Sequence, residues 1–457
     1  MSKKIKELSE AELDYACSPV PEDGRTSHFS LTMAWWSCCS AMFYVVVAAT
    51  LAMGYGTVNT LIGIGLSVVT YAAINMVISR YAIRTGSSVS LFSRILFGRT
   101  GSALATLIFA ATAIYYAVFE GSVIAMAANF FQPGLSYKTA ALIVVVVSVP
   151  LVFGSVQHWL DKFNGVLLPV YLLGLATCVG LAINEYGYSN AWLTSVPQGG
   201  APAMGWWHVY VAYMGVWILM MFCFDYARFG KKSDERYHAL FNFGAPFYIA
   251  AFLLSGVAGI FLVNTIPIDG ALSEVSAVKA IIIMMGGFGL LFVWVTQTRI
   301  NTANYYLASV NLEALGKQAF GIKLSKYFWA VVVGCIVYVL MLVDVFSYLL
   351  QALAYQGVFV VAWVAIALAY MLNEADDEHP AEASKNDGDY PNYNSRGLIA
   401  WFGAVIVGIV MMNIPAVASF SSPCSAISGF ALYRMLGFSE KTVPGAAMSI
   451  IGKGEIE

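Results

Sequence analysis

Charge is what this sequence most lacks. Of its 457 residues only 11% are Asp, Glu, Lys or Arg, fewer than half of the roughly 25% with which soluble domains coat a water-facing surface. The apolar share is 59% and the mean hydropathy +0.73. An ordinary soluble enzyme is thereby excluded, and the surplus apolar surface must face lipid. A formal net charge of −2 leaves no whole-protein basic field, so nucleic acid is not an expected partner. The seven cysteines (Cys17, Cys38, Cys39, Cys178, Cys223, Cys335, Cys424) are odd in number and lack CxxC spacing. They suggest neither a disulfide framework nor a zinc site and are expected to be small buried hydrophobes, a reactive Cys38 and Cys39 being the alternative. The five histidines (His28, His158, His208, His238, His379) include no pair at ligand spacing, and no GxSxG, HExxH or Walker pattern occurs, which leaves a membrane enzyme without chemistry. No cofactor is expected. The first 28 residues, with Lys3, Lys4, Lys6, Glu7, Glu10, Glu12 and Asp14, are polar and do not make a secretory signal.

What is present is apolar runs. A bilayer core of about 30 Å takes ~20 apolar residues per helix. Cutting the chain at charges, prolines and glycine clusters gives twelve expected spans: 29–53, 57–79, 102–131, 138–157, 164–184, 206–227, 239–264, 279–301, 327–345, 347–372, 397–413 and 417–436. The expected organisation is a tail (1–28), a core of ten spans (29–372), an acidic linker (373–396), two peripheral spans (397–436) and a second tail (437–457). Lys138 and Lys279 are the sole basic residues on odd-to-even connections, and Arg299 sits inside span 8. The rest lie on the tails or on even-to-odd connections, among them Arg80, Arg84, Arg94 and Arg99 after span 2 and Arg228, Lys231, Lys232 and Arg236 after span 6. The positive-inside rule then places both termini, and the linker, in the cytoplasm of a cell membrane.

Ionisable groups at membrane depth are costly and mark function by default. Glu120 is the nineteenth residue of the thirty-residue span 3, with Tyr116 one turn before it. A carboxylate beside a ring suits a cationic or amidine-like solute, or a proton whose release drives transport. The ordinary alternatives are an arginine partner or a protonated group bonded to a backbone carbonyl. In span 8, Thr296, Gln297, Thr298, Arg299, Asn301, Thr302 and Asn304 crowd into under three turns, and such side chains must face protein or water. Gln297, Asn301 and Asn304 share one face at i, i+4, i+7, and amides suit two-point hydrogen bonding to the edge of a planar heterocycle; interhelical bonding is the plainer reading. Arg299 is always charged, so it is a fixed counter-charge rather than a proton carrier, with Glu120 a candidate partner. Most tryptophans, including Trp35, Trp36, Trp206, Trp207, Trp329 and Trp401, fall near span ends, as interfacial belts do. Trp217 falls near the middle of span 6, where stacking on a flat ligand and core packing are both open. Asp225, Arg228 and Asp344 read as interface anchors.

Four segments carry a resemblance: SPVPEDGR at 18–25, RYAIRTGSSVSLFSRILFG at 80–98, FDYARFGKK at 224–232, and the amide-rich span 8 followed by YYLASVNL. From about residue 18 to 312 the chain resembles the nucleobase:cation symporters, the family of the cytosine permease and the hydantoin transporter. The resemblance implies an all-α membrane protein with the leucine-transporter fold: spans 1–5 and 6–10 as inverted repeats, two peripheral spans, and a solute at mid-membrane between spans 1, 3, 6 and 8. It implies an interruption of span 1 near Ser37, Cys38, Cys39 and Ser40 and of span 6 near Gly215. Tyr116 takes the place of a ring-stacking aromatic, Trp217 that of the span 6 aromatic, and Asn301 that of the base-binding amide. Two departures stand out. Arg299 and Ile300 occupy the positions of the paired hydroxyls of the relatives' sodium site, and Glu120 stands where the cytosine permease pattern has a small residue. The expected activity is import of a purine- or pyrimidine-like heterocycle by alternating access, with Tyr116 and Trp217 around the ring and Asn301 with Gln297 or Asn304 on its edge. H⁺ and Na⁺ both remain open as the coupling ion. A carrier of a cationic amine or guanidino compound, selected by Glu120, is the alternative, and a channel is separated from both by whether flux saturates.

Overall fold

In hydrocarbon every backbone N–H and C=O must be bonded inside its own segment, so the apolar runs become helices. The computed structural model describes residues 18–153, 155–269, 272–322, 324–343, 348–372 and 390–442. Most of the first tail, most of the acidic linker, Asp344 and residues 443–457 therefore lie outside the described residues, as does Cys17. In chain order the helices are α1 (His28–Trp36), α2 (Met42–Tyr55), α3 (Thr57–Thr85), α4 (Val89–Phe97), α5 (Ser102–Phe131), α6 (Tyr137–Leu151), α7 (Ser155–Tyr186), α8 (Gly205–Met214), α9 (Ile218–Ala227), α10 (Lys232–Thr265), α11 (Ser276–Phe320), α12 (Lys326–Met341), α13 (Leu349–Met371), α14 (Ser395–Met412) and α15 (Ser421–Thr442). Seven are long and apolar enough to cross a membrane. The pairs α1 with α2 and α8 with α9 each make one broken span, bent by 42° and 43°. Large apolar side chains such as Val69, Leu173, Phe288, Val339 and Ile427 point outward, as lipid contact requires.

Each of the twelve expected spans overlaps helix among the described residues, and three local expectations change. The connection after span 2 is not simply a loop: Ser88 caps Leu91 N–H, Val89–Phe97 forms α4, and Phe92, Leu96 and Phe97 bury one face. Span 8 does not begin at 279 and end at 301. Gly286, at φ +54°, divides α11, so residues 276–285 form a separate short helix and the long one follows. That helix runs on through the amide cluster because the polar side chains face protein, leaving the backbone bonds intact. Trp35 and Trp401 are not belt residues. Trp35 is fully buried against Tyr226, Phe243 and Phe247, and Trp401 stacks on Phe97 and donates to Phe359 O at 3.0 Å.

The two halves repeat one another. Each opens with a broken span, and in each the connection between its second and third spans carries a short helix, α4 in one and 276–285 in the other. The third members, α5 and α11, lie along each other. Packing divides the molecule differently: one side of α5 and α11 joins α6 and α12 in a smaller core, while their other side joins the larger core built with α1–α4, α7–α10, α13, α14 and Tyr433 of α15.

One motif acts as a strap. Val20 N–H bonds Gly86 O at 2.9 Å and Thr26 N–H bonds Phe229 O at 2.9 Å, while Arg25 Nη1 donates to both Ile83 O and Gly230 O. The segment before α1 thus ties the ends of α3 and α9 together. Elsewhere close packing demands glycine: a Cβ at Gly63 would lie 2.6 Å from Val209 Cβ and 2.7 Å from Trp206 O, so valine there must force α3 from α8. Gly63→Val is expected to cost about 1–3 kcal/mol, read as a lower melting temperature of the detergent-purified protein; an unchanged midpoint refutes the close contact. Arg25→Ala removes two charge-assisted bonds worth about 1.5–3 kcal/mol each and is expected to speed hydrogen exchange around 83–86 and 229–230, with no change there counting against the strap.

Candidate functional site

The break in span 1 is built without glycine or proline. Ser37 Oγ donates to Ala34 O and Ser40 Oγ to Ser37 O, both at 2.8 Å, and these local bonds compete with the helix ladder. Ser37–Ser40 tighten into a 3₁₀ turn, and Ala41 is extended (ψ 122°). A helix restarting at Met42 has orphan N–H groups and no side-chain cap of its own. The cap comes from α11: Gln297 Oε1 accepts Met42 N–H at 2.9 Å. Cys38, also in the break, is buried.

The break in span 6 comprises Gly215, Val216 and Trp217, with Trp217 buried immediately before α9. Gly215 is required there, because a Cβ would stand 2.6 Å from Leu353 O on α13. Its carbonyl accepts Gln356 Nε2 at 3.3 Å. Gln356 was not legible as a site residue, being one polar residue in an apolar run with no pattern around it.

On α5, Tyr116 is buried and meets Phe43 of α2 edge-on at 5.3 Å. Its hydroxyl makes no hydrogen bond of standard geometry, and the side chain beside it is Gln356. Glu120, one turn on, is 1% exposed and its Oε2 has no hydrogen-bond partner among the described residues. Glu120 makes no ion pair there, so the pairing with Arg299 is not seen among the described residues; Arg299 is 8% exposed. Ile300, beside it, is half-buried against the larger core.

The polar residues of α11 separate into two classes. Thr296 bonds back to Phe292 O and Thr302 to Thr298 O, so these hydroxyls are spent within their own helix. Asn301 is fully buried and neither its Nδ2 nor its Oδ1 is bonded; Gln297 Nε2 and Asn304 Nδ2 are likewise without partners among the described residues. Asn301 faces α5, where a Cβ at Gly121 would lie 3.6 Å from its Nδ2. The structure therefore brings Asn301 to the Glu120 turn, Gln297 to the Ser37–Ala41 break, and Tyr116 to the Gly215 break by way of Gln356. It shows no ring contact between Tyr116 and Trp217.

Below this cluster, between α4, α5, α9 and α11, lies a cavity of about 100 Å³ edged by Ser90, Thr106, Asp225, Arg228 and Asn311, room for several waters. Asp225 is not an interface anchor: Oδ1 accepts Val89 N–H at 2.9 Å, a carboxylate at the start of α4 where the helix dipole favours it. Arg228 is buried, with Nε donating to Asp225 O. Of the cysteines, Cys38, Cys39, Cys178 and Cys223 are buried as expected, and Cys335 is exposed.

Two solved structures of Mhp1, a nucleobase-cation-symport-1 family transporter, have this architecture. The one in a closed conformation with bromovinylhydantoin bound has a TM-score of 0.72 at 16% identity, over 94% of this chain and 96% of its own. The inward-facing one has 0.71 at 14%, over 92% and 93%. MhsT in complex with L-phenylalanine is similar at a TM-score of 0.56 and 12% identity, over 90% and 98%. These likenesses show the leucine-transporter fold. No curated relative matches the chain significantly. The profile of permeases for cytosine/purines, uracil, thiamine and allantoin matches residues 19–433. The protein is a membrane transporter rather than an enzyme, and it belongs to that permease family.

Proposed function

We propose that this transporter imports a small nitrogenous heterocycle, purine- or pyrimidine-like, by alternating access, binding it at mid-membrane between α5, α11 and the two broken spans. The observation that carries the reading is the set of buried polar atoms without partners: Glu120 Oε2, Gln297 Nε2, Asn301 Nδ2 and Oδ1, and Asn304 Nδ2. Each costs about 1–3 kcal/mol while unbonded, and together they present donors beside acceptors, the complement of a heterocycle's amide edge. Asn301 reads that edge, aided by Asn304 and the free half of Gln297. Tyr116 and Trp217 take the faces of the ring, with Ser37, Cys38 and Gly215 contributing broken-helix backbone. Cytosine, purines and uracil among the family's solutes, and the hydantoin ring held by Mhp1, are planar nitrogen heterocycles of this kind.

Glu120 supplies either the driving proton's site or a contact to an exocyclic amine. Its unpartnered oxygen also favours a second reading, a cationic amine or guanidino solute, since a buried carboxylate needs a counter-charge. Arg299 puts a permanent cation beside the span 1 break, at positions where the relatives carry sodium-binding hydroxyls, and makes sodium dispensable. Arg80, Arg84, Lys232 and the Arg25 strap share one face of the molecule, which the positive-inside rule makes cytoplasmic.

Asn301→Ala is expected to abolish saturable uptake into vesicles while leaving the melting temperature of the protein near wild type; normal uptake refutes the site. For Glu120→Gln, loss of binding of guanidinium or polyamine probes with retained binding of cytosine or hydantoin supports the cation carrier, and the reverse removes it. In a thermal-shift panel, a bound base at about 100 times its Kd stabilises by about 2.7 kcal/mol. That stabilisation is expected to be equal in sodium and in choline buffers, and dependence on sodium overturns the role given to Arg299.

A further inference from the structure

The break in span 6 is capped from a helix that carries none of the candidate binding residues. Tyr71 is the middle residue of the 29 of α3 and is fully buried. Its hydroxyl donates to Tyr213 O at 2.6 Å, the carbonyl two residues before Gly215. The same oxygen accepts Val216 N–H at 3.0 Å, one of three successive tight bonds, with Gly215 N–H to Ala212 O and Trp217 N–H to Met214 O both at 3.1 Å. A carbonyl has two lone pairs, and at this depth no bulk water reaches the second; Tyr71 fills it. Close packing makes the reach possible. A Cβ at Gly63 would lie 2.6 Å from Val209 Cβ, and Thr70 Oγ1 meets Tyr210 Oη at 3.2 Å, so α3 runs in contact with α8 and delivers Tyr71 to its end. From behind, α10 clamps the ring, with Tyr248 at 4.8 Å and Phe252 edge-on at 4.9 Å. One turn on from Tyr71, Asn75 Nδ2 donates to Tyr248 Oη. Ser67, Tyr71, Asn75 and Ser79 recur at every fourth residue, all buried, so they form one polar stripe on α3.

We propose that Tyr71 is a positioning residue for the solute, acting through the Tyr213 carbonyl to fix the span 6 turn and with it the ring of Trp217. Trp217 closes that turn and starts α9, so its placement follows the backbone just before it. With the carbonyl capped, the indole is held in one place before a solute arrives. Without the cap the turn has several arrangements, and binding must first select one, which lowers affinity without altering any group that touches the solute. The clamp from Tyr248 and Phe252 keeps the hydroxyl aimed, since a ring packed on two sides has few rotamers open to it. The assignment rests on the contact given to Trp217 in the function proposed above.

The test uses full-length protein, in detergent for binding and in vesicles for uptake, with cytosine, uracil, hydantoin and allantoin as probes. Tyr71→Phe keeps the ring against Tyr248 and Phe252 and deletes only the hydroxyl. The probe that stabilises wild type is expected to bind this variant about tenfold more weakly, the scale of one buried hydrogen bond. The half-saturation of uptake rises by the same factor, while the maximal rate per folded transporter is kept. In a Trp217→Phe background the loss of the hydroxyl is expected to matter less, because two groups acting in series are not additive. Tyr248→Phe also deletes a buried hydroxyl but leaves the cap in place, and is expected to lower the melting temperature with affinity near wild type. Unchanged affinity in Tyr71→Phe with a lower melting temperature is the mark of a merely structural bond and overturns the proposal, as do additive losses with Trp217→Phe or an equal loss of affinity in Tyr248→Phe. Should none of the four probes stabilise wild type, the heterocycle reading fails by itself. Tyr71 is then judged without ligand, by hydrogen exchange of the peptide covering 213–219: faster exchange confined to it in Tyr71→Phe supports the cap, and unchanged exchange refutes it.

Discussion

The hydrogen bond from Met42 N–H to Gln297 Oε1 is the contact on which the centre of this molecule depends. A helix interrupted at mid-membrane exposes amides that no water satisfies, and irregular backbone survives there only where protein or a wet cavity supplies partners. Ser37 and Ser40 loosen the ladder of span 1, but loosening alone leaves the restarted helix uncapped. Gln297 reaches across from α11 to close the account for one N–H. The same contact fixes which way α11 turns: once Gln297 points at the break, helical periodicity directs Asn301 and Asn304 toward α5.

That orientation concentrates unsatisfied polarity. Thr296 and Thr302 are quenched by their own helix, whereas Asn301, on the face Gln297 selects, is left with both atoms unbonded opposite the turn of Glu120. A folded interior normally pairs nearly all such groups, and their placement on two facing helices is what the proposed solute site rests on. Arg299 lies off this face by helical spacing, and no ion pair between it and Glu120 is seen among the described residues.

α5 and α11 carry this polar face and contribute to both apolar cores. Glycines allow the closest approaches on one side of it, Gly215 against Gly357, while the ends of α3 and α9 are laced by backbone bonds to the Arg25 strap. The start of α4 is held by Asp225 over a small cavity. Both cores are apolar, whereas the polar groups of α11 lie beside the two broken helices.

Composition and period were enough to establish the membrane and the helical class, because hydrocarbon tolerates few backbone solutions and apolar length reads directly from the chain. The polar residues that matter were also legible: a Glu and an amide face inside apolar runs announce themselves by cost. What each does with its hydrogen bonds was not legible. Gln297 reads as one of three equivalent amides, yet it caps a helix 255 positions away in the chain; Asp225 reads as an anchor, yet it caps α4; Gln356 carries no signal; and Trp35 reads as a belt residue, yet it is core. Cost of burial belongs to a residue and its neighbours in sequence. Choice of partner belongs to whichever chain segment packing brings within about 3 Å, and only the tertiary structure decides that.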